Sequence, residues 1–329
     1  MLRDDVLALL RQREGEPLSG EAMSRALGVS RAAVWKAMEA LRQEGYEISS
    51  APRRGYWLEK SPDLLSPGEL SRPDRRVGRE LVCLEQVDST NNEIKRRAVG
   101  EVPDGLTIVA GEQTGGRGRR GRSFVSPPGK GLYLSALLKP DCPLGEVPAL
   151  TAWSAVAVCD AIEKLCGVRP GIKWPNDVIL EGRKLCGILT ELELEAETAA
   201  LRYVVVGIGV NISQTEADFG PVLSPIATSL IQALGYPVRR AELAVHLLTA
   251  LDELYTAFPQ GKADYLAEYR RRCVTTGHEV ALVRPDGTRI PAFAQRVDDD
   301  FSLVCRMPDG HTETVTAGEV SVRGLLGYV

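Results

Sequence analysis

The sequence predicts an α+β multidomain chain in three parts, and three observations carry that expectation. Two helix-like runs near the N-terminus flank Gly28-Val29 and lead into two short strand-like runs. The long middle alternates strand-like with helix-like runs. Beyond about Thr276, short strands are separated by turn chemistry at Pro285-Asp286-Gly287-Thr288, Asp298-Asp299-Asp300 and Pro308-Asp309-Gly310. The expected parts are 1–60, 61–275 and 276–329, the last a small β-barrel or sandwich.

Length and composition agree with this. The 329 residues suffice for two or three domains with cores of their own. Hydrophobic residues make up 44% and charged residues 26%, which excludes disordered and collagen-like classes. The best apolar run, Val204-Val205-Val206-Gly207-Ile208-Gly209-Val210, is far shorter than the ~18 residues a membrane span needs. Asp4 and Asp5 interrupt any signal-peptide pattern. The seven cysteines form no C-x-x-C pair, which points to reduced thiols in a cytoplasm and away from a disulfide framework or a metal site. A net charge of −4 argues against polyanion partners only if charge is spread evenly.

Each element has its own justification. Ser19–Leu27 predicts a helix, Gly28-Val29 a tight turn and Ser30–Glu44 a second helix with Ser30 as its N-cap. Val34, Ala37, Met38 and Leu41 give that second helix an apolar stripe. Gly45-Tyr46-Glu47-Ile48 and Gly55-Tyr56-Trp57-Leu58 read as the strands of a wing. The whole is a winged helix-turn-helix, in which Ser30, Arg31 and Lys36 meet DNA and Arg53 and Arg54 reach the phosphate backbone. Residues 18–60 hold seven basic and five acidic groups, a slight basic excess. The alternative is a winged helix used only for protein contacts. Residues 59–73, with three prolines and a glycine, read as a linker. Ile108–Ala110 and Leu132–Lys139 read as strands, as does the pair Leu185–Leu194 and Tyr203–Ile212. Leu150–Cys166 and Arg240–Phe258 read as helices.

The most informative stretch is Gly115-Gly116-Arg117-Gly118-Arg119-Arg120-Gly121-Arg122. From Gln113 to Pro140 there are six basic residues and no acidic one. Glycines admit backbone N–H groups to a phosphate and arginines bind it bidentately, so a flexible loop closing on a polyanion is expected. The stretch matches G-x-G-x-x-G, with Asp141 about twenty residues on, but no helix follows and the dinucleotide reading fails its context. Four further segments belong with it. Lys173-Trp174-Pro175-Asn176-Asp177 places polar groups at a strand end. Lys184-Leu185-Cys186-Gly187-Ile188 begins a strand with a lysine. Gly207-Ile208-Gly209-Val210-Asn211 lacks two side chains on one face, either a floor for a ligand or a site of close packing. Asp88-Ser89-Thr90-Asn91-Asn92-Glu93 has capping-box spacing from Thr90 to Glu93, and also suits a polar headgroup. His246, His278 and His311 match no metal or nucleophile pattern, so the chemistry is one of charge stabilisation and positioning.

In this order and combination, the five segments resemble the biotin–protein ligase family. With the winged helix, the chain is similar to its bifunctional bacterial members, which also repress the biotin operon. The resemblance covers essentially the whole chain. It implies a central class II synthetase-like ligase domain and an SH3-like C-terminal barrel. It also implies activation of biotin with ATP and Mg²⁺ to biotinyl-5′-AMP, transfer to a lysine of a biotin carboxyl carrier protein, and an adenylate-bound homodimer on operator DNA. Lys184, Arg119 and Asp177 then carry the chemistry, Asp177 orienting the acceptor lysine or a metal-bound water. Ser89, Thr90, Asn91, Gln113, Gly116, Arg117, Arg119, Arg120, Lys184, Gly187, Ile188, Gly207 and Gly209 surround biotin. Arg119, Arg120, Arg122, Asn176, Lys184, Asn211 and Arg323 face the nucleotide, and no protein metal site is implied. Two residues depart from the family pattern: Phe124 stands where a tryptophan is usual, and Cys186 where alanine is common. A lipoate or octanoate ligase, and a biotin-sensing regulator without ligase activity, are the alternatives.

Overall fold

The computed structural model describes residues 2–316 except 14, 73, 196 and 285, together with the backbone of 321–324. The chain divides into two compact units, Met1–Ser71 and Arg72–Val329.

The first unit holds α1 (Leu2–Arg11), α2 (Gly20–Leu27), α3 (Arg31–Gln43), β1 (Glu47–Ala51), β2 (Gly55–Lys60) and α4 (Pro67–Leu70). Ser19 caps α2 by accepting from the Ala22 amide (3.1 Å), and Ser30 caps α3 by accepting from Ala33 (3.2 Å). Between them Gly28 adopts φ +66°, the left-handed geometry that ends α2 and permits the turn. The expected stripe of Val34, Ala37, Met38 and Leu41 is buried against Val6, Leu7, Leu10 and Met23. β1 and β2 pair antiparallel as the wing.

The proline-rich run is not slack chain throughout. Ser66 caps α4, with Pro67 in its first turn, where a missing amide costs nothing. Glu69 is fully buried and ion-paired to Arg11 of α1, whose guanidinium also donates to Ser61 Oγ (2.7 Å). A buried carboxylate needs such a partner, and this one ties α4 to α1.

In the second unit come β3 (Leu81–Leu84), α5 (Thr90–Arg97), β4 (Thr107–Ala110), β5 (Gly131–Leu138), α6 (Ala149–Cys166), β6 (Gly171–Lys173), β7 (Asp177–Leu180), β8 (Arg183–Leu194) and β9 (Leu201–Asn211). Then follow α7 (Glu216–Leu223), α8 (Leu230–Leu234), α9 (Arg240–Ala257), α10 (Lys262–Arg272), β10 (Glu279–Val283), β11 (Arg289–Val297), β12 (Leu303–Arg306), β13 (Thr312–Val315) and β14 (Ser321–Gly324). Seven strands form a mixed sheet in the order β3-β4-β5-β9-β8-β7-β6, with only β3 and β4 parallel. Strand alternation gives this sheet two different faces. On one, Leu137 and Val205 pack under Ile94 of α5. On the other, Thr190 hydrogen-bonds Thr151 of α6 (2.7 Å), and α6 packs on α9 through an almost wholly apolar surface.

The C-terminal strands form one antiparallel sheet, β13-β12-β11-β10-β14. β13 and β14 lie at opposite ends of that order, so among the described residues the sheet is open and the expected closure into a barrel is not seen. This sheet supports the central one through Trp174, whose indole N–H donates to the Phe301 carbonyl (2.8 Å). No helix among the described residues is long and apolar enough to cross a membrane.

Candidate functional site

The α5 face of the central sheet opens into a cavity of about 220 Å³. Its floor follows from the strand period of two: Gly187 and Leu189 on β8 and Gly207, Gly209 and Asn211 on β9 all face it. The glycines do not leave bare sheet. A Cβ on Gly207 would stand 2.1 Å from Asn91 Oδ1, and one on Gly209 would stand 2.6 Å from the Phe124 ring. They admit two of the protein's own side chains, an amide at one end and an aromatic ring over the middle. The close packing expected of these glycines therefore holds at Gly207 and Gly209, and both also line the cavity.

At the amide end, Ser89 is the N-cap of α5 but makes no side-chain cap bond. The expected Thr90–Glu93 capping box is not formed. Thr90 instead sits inside the helix and donates, by its amide (2.9 Å) and its hydroxyl (3.1 Å), to Gln113 Oε1, while Glu93 pairs with Arg96 and Arg97. Gln113 Nε2 donates to Ser126 Oγ (3.0 Å). Asn91 Oδ1 accepts from Ser135 (2.6 Å), and its amide group donates to Glu191 (2.8 Å) and the Leu189 carbonyl (3.3 Å). This cluster is fixed in place without outside help, which is what a preorganised binding end requires.

The glycine–arginine loop covers the cavity as a small hairpin. Arg117 and Ser123 form a bridge, the Gly118 amide donates to the Arg122 carbonyl (2.7 Å), and a 3₁₀ turn spans Arg119–Gly121. Arg120 in that turn has φ +57°. The loop thus carries hydrogen bonds of its own between its arginines and glycines. Arg117, Arg119, Arg120 and Arg122 all line the cavity, but Gly116 does not. A side chain there would meet the Phe124 carbonyl at 2.3 Å, so its absence serves close backbone packing.

At the opposite end, the β6–β7 turn brings in Asn176 and Asp177. Arg119 donates to Asn176 Oδ1 (3.0 Å), and Asn176 Nδ2 donates to the Ile188 carbonyl (2.8 Å). Lys184 Nζ lies 2.6 Å from Asp177 Oδ1. Burial pushes the Arg119 guanidinium pKa down, opposed by Asp177 and reinforced by Arg120 and Arg122, and arginine remains charged at neutral pH. Asn211 Nδ2 donates to the Thr228 carbonyl (3.0 Å), and its Oδ1 accepts from Gln214 (3.2 Å). Arg323 lies in β14, and its side chain is outside the described residues.

The residues expected to meet DNA belong to the first unit. Ser30, Arg31 and Lys36 are exposed along α3, and Arg53 and Arg54 are exposed in the turn between β1 and β2.

Comparison with known proteins agrees with this geometry. Residues 83–211 match the biotin/lipoate A/B protein ligase family, and residues 3–57 match an HTH domain family. The bifunctional ligase/repressor BirA of Bacillus subtilis is 42% identical over 256 residues, covering 77% of this chain and 78% of its own. That of Escherichia coli is 32% identical over 319 residues, covering 97% and 96%. The chain belongs to the bifunctional ligase/repressor family of biotin protein ligases. The biotin protein ligase of Aquifex aeolicus, solved with biotin and ATP, superposes with a TM-score of 0.63 at 28% identity, over 74% of this chain and 99% of that one.

Several cavity residues carry no sequence motif. Phe219, Leu223, Ile226 and Ala227 close one wall, brought there because the Lys184 amide donates to the Ile226 carbonyl (2.8 Å) and the Thr228 amide to the Lys184 carbonyl (2.9 Å). No polar motif marks that segment. Buried Lys173 also lines the cavity, at the start of the Lys173–Asp177 segment that the sequence singled out without giving the lysine a role. In the first unit, Trp35 is 52% exposed between Arg31 and Lys36, and its place off the stripe of Val34, Ala37, Met38 and Leu41 was the available signal.

Proposed function

We propose that the cavity binds biotin and ATP and that the chain is a biotin–protein ligase and biotin-responsive repressor. The observation carrying this is the Lys184–Asp177 pair at the end of a cavity roofed by four arginines. The Aquifex relative, solved with biotin and ATP, supports both ligands. A biotin carboxylate oxygen attacks the α-phosphorus of ATP, and pyrophosphate leaves. Lys184 and Arg119 offset the negative charge that gathers between the two anions. An acceptor lysine of a carrier domain, its amine positioned by Asp177, then attacks the acyl carbon and AMP departs. Ser89, Thr90, Asn91 and Gln113 hold the far end of biotin, and Arg120, Arg122, Asn176, Asn211 and Arg323 serve the nucleotide.

Mg²⁺ fits as an ion carried by the ATP phosphates. Among the described residues, Asp177 is the only carboxylate lining the cavity, and no cluster of three or more His, Cys, Asp or Glu could cage a metal. The finer architecture follows the same reading: parts at 1–60, 61–275 and 276–329, a class II synthetase-like centre and an SH3-like C-terminal barrel. Cytoplasmic placement and an adenylate-bound homodimer on operator DNA complete it, because two weak modules on two half-sites bind far better than one.

Biotin-dependent exchange of labelled pyrophosphate into ATP tests the ligase. Absence of exchange at saturating ATP and Mg²⁺ sinks it, and exchange supported by lipoate but not biotin selects the lipoate alternative. Operator binding without any exchange selects the regulator that does not ligate.

A further inference from the structure

Asp177 owes its place to a turn at the edge of the central sheet. Residues 174–176 join β6, the last strand in the sheet order, to β7, which begins at Asp177. The turn is gripped from two sides. Toward the sheet, the Ile188 amide of β8 donates to the Asn176 carbonyl (3.0 Å), and Asn176 Nδ2 donates to the Ile188 carbonyl (2.8 Å). On the outer side, the Tyr269 hydroxyl of α10 donates to the Pro175 carbonyl (3.2 Å), and the Trp174 amide donates to Thr275 Oγ1 (2.9 Å). Tyr269 is buried and does not line the cavity. Its ring meets Phe301 edge-on, with centroids 5.4 Å apart. A phenylalanine would fill that space equally well, so the hydroxyl is the feature that asks for a reason. Burial, with Cys273, Cys159 and Asp177 adding to it and Arg119 opposing, pushes the phenol well above its ordinary value, so the hydroxyl keeps its proton and donates.

We propose that Tyr269 is a positioning residue for the transfer step: through the Pro175 carbonyl it sets where the turn holds the Asp177 carboxylate. The physical reason is that an edge turn held from one side rocks about the bonds that remain, here those to Ile188. Asp177 is two residues beyond Pro175 and moves with the turn. A displacement of ~1 Å at a reacting group costs about 100-fold in rate, so a fraction of it registers. Lys184 is held separately, by backbone bonds from the start of β8 to Ile226 and Thr228, so the adenylation step is spared. The consequence for transfer rests on the ligase reading above; the anchor itself does not.

The test compares the full-length wild type with Tyr269→Phe, which keeps the ring on Phe301 and removes only the hydroxyl. In hydrogen–deuterium exchange of the unliganded chain, the segment 174–178 is expected to exchange about threefold to tenfold faster in the variant, the scale of one hydrogen bond, with β9 unchanged. Equal rates in 174–178, or an acceleration shared by β9, overturn the anchor. In biotin transfer to a carrier domain, kcat is expected to fall about threefold to tenfold, with the KM for the carrier held and biotin-dependent pyrophosphate exchange within about twofold of wild type. Undiminished transfer, or equal losses in transfer and exchange, overturn the positioning role. In an Asp177→Asn chain, adding Tyr269→Phe is expected to change transfer little, and a full additive loss overturns the route through Asp177. Thr275→Val removes the other outer anchor and takes the place of Tyr269→Phe if that variant does not fold. The same split between transfer and exchange is expected of it, and equal losses overturn the proposal. Loosening of 174–178 in the variant with no pyrophosphate exchange by the wild type leaves the anchor standing and removes the ligase reading.

Discussion

Lys184 and Asp177 stand on adjacent strands with Nζ 2.6 Å from Oδ1, and both line the cavity. The pair places a fixed cation at the end of a pocket whose arginines come from a loop. Lys184→Met is expected to lower kcat/KM for biotin-dependent pyrophosphate exchange about 10- to 150-fold, the equivalent of about 1.5–3 kcal/mol for one charge-assisted contact. Asp177→Asn separates the two half-reactions. Exchange should stay within a few-fold of wild type while biotin transfer to a carrier domain falls, and equal losses in both would remove Asp177 from the acceptor step.

The contact between Gly209 and Phe124 gives a second prediction. Gly209→Ala puts a methyl group 2.6 Å from the ring, so the ring or the loop must move. The substitution is expected to destabilise the protein by about 1–3 kcal/mol in urea unfolding. Phe124→Ala in the same chain should recover much of that loss, because the two effects share one contact and are not additive. Simple additivity would show that Phe124 does not occupy this space in solution.

In the N-terminal unit, stability and DNA affinity should come apart. Ser30→Ala removes the cap on Ala33 and is expected to cost about 0.5–2 kcal/mol in unfolding. Arg53→Ala with Arg54→Ala should leave stability unchanged and reduce the slope of log affinity against log salt for operator DNA by about 2, one for each arginine withdrawn from a phosphate. An unchanged slope by fluorescence anisotropy would place the wing off the DNA.

The Cys305 thiol, buried in the C-terminal sheet, makes a pH-dependent prediction. Burial, with Glu313 adding to it, pushes its pKa up to about 11. An unfolded thiol ionises near pH 8.5, so the stability held by the neutral form is whole below about pH 8.5 and is lost as pH rises toward about 11. Urea midpoints for wild type should therefore fall between about pH 8 and 10.5 more than those of Cys305→Ala, and parallel profiles would refute the assignment.

Much of the site was legible because its residues cluster in sequence around glycine, arginine and proline, whose backbone demands are local. The turn from Lys173 to Asp177 lies at the sheet edge, as its proline required, and Ser30 caps the helix that its spacing pointed to. Other features depend on residues far apart in the chain. The linker hides a helix whose Glu69 answers Arg11, a pairing no local pattern announces. Thr90 donates to Gln113 and forms no capping box, because the bridge between Val87 and Gln113 sets that side chain beside it. The wall from Phe219 to Ala227 reaches the cavity through bonds to distant chain, at the start of β8 and at Lys130, which pairs with Asp218.

By itself the sequence determined the period of each strand and helix, the caps and turns, the acid-free stretch and the family these resemble, because such features are set by residues within a turn or two of one another. Only the tertiary structure decided what fills the space the glycines leave, which carboxylate meets which cation, and which end of the cavity each motif occupies. Those outcomes belong to residues about a hundred positions apart, such as Asn91 and Glu191, whose meeting is fixed by sheet order and register.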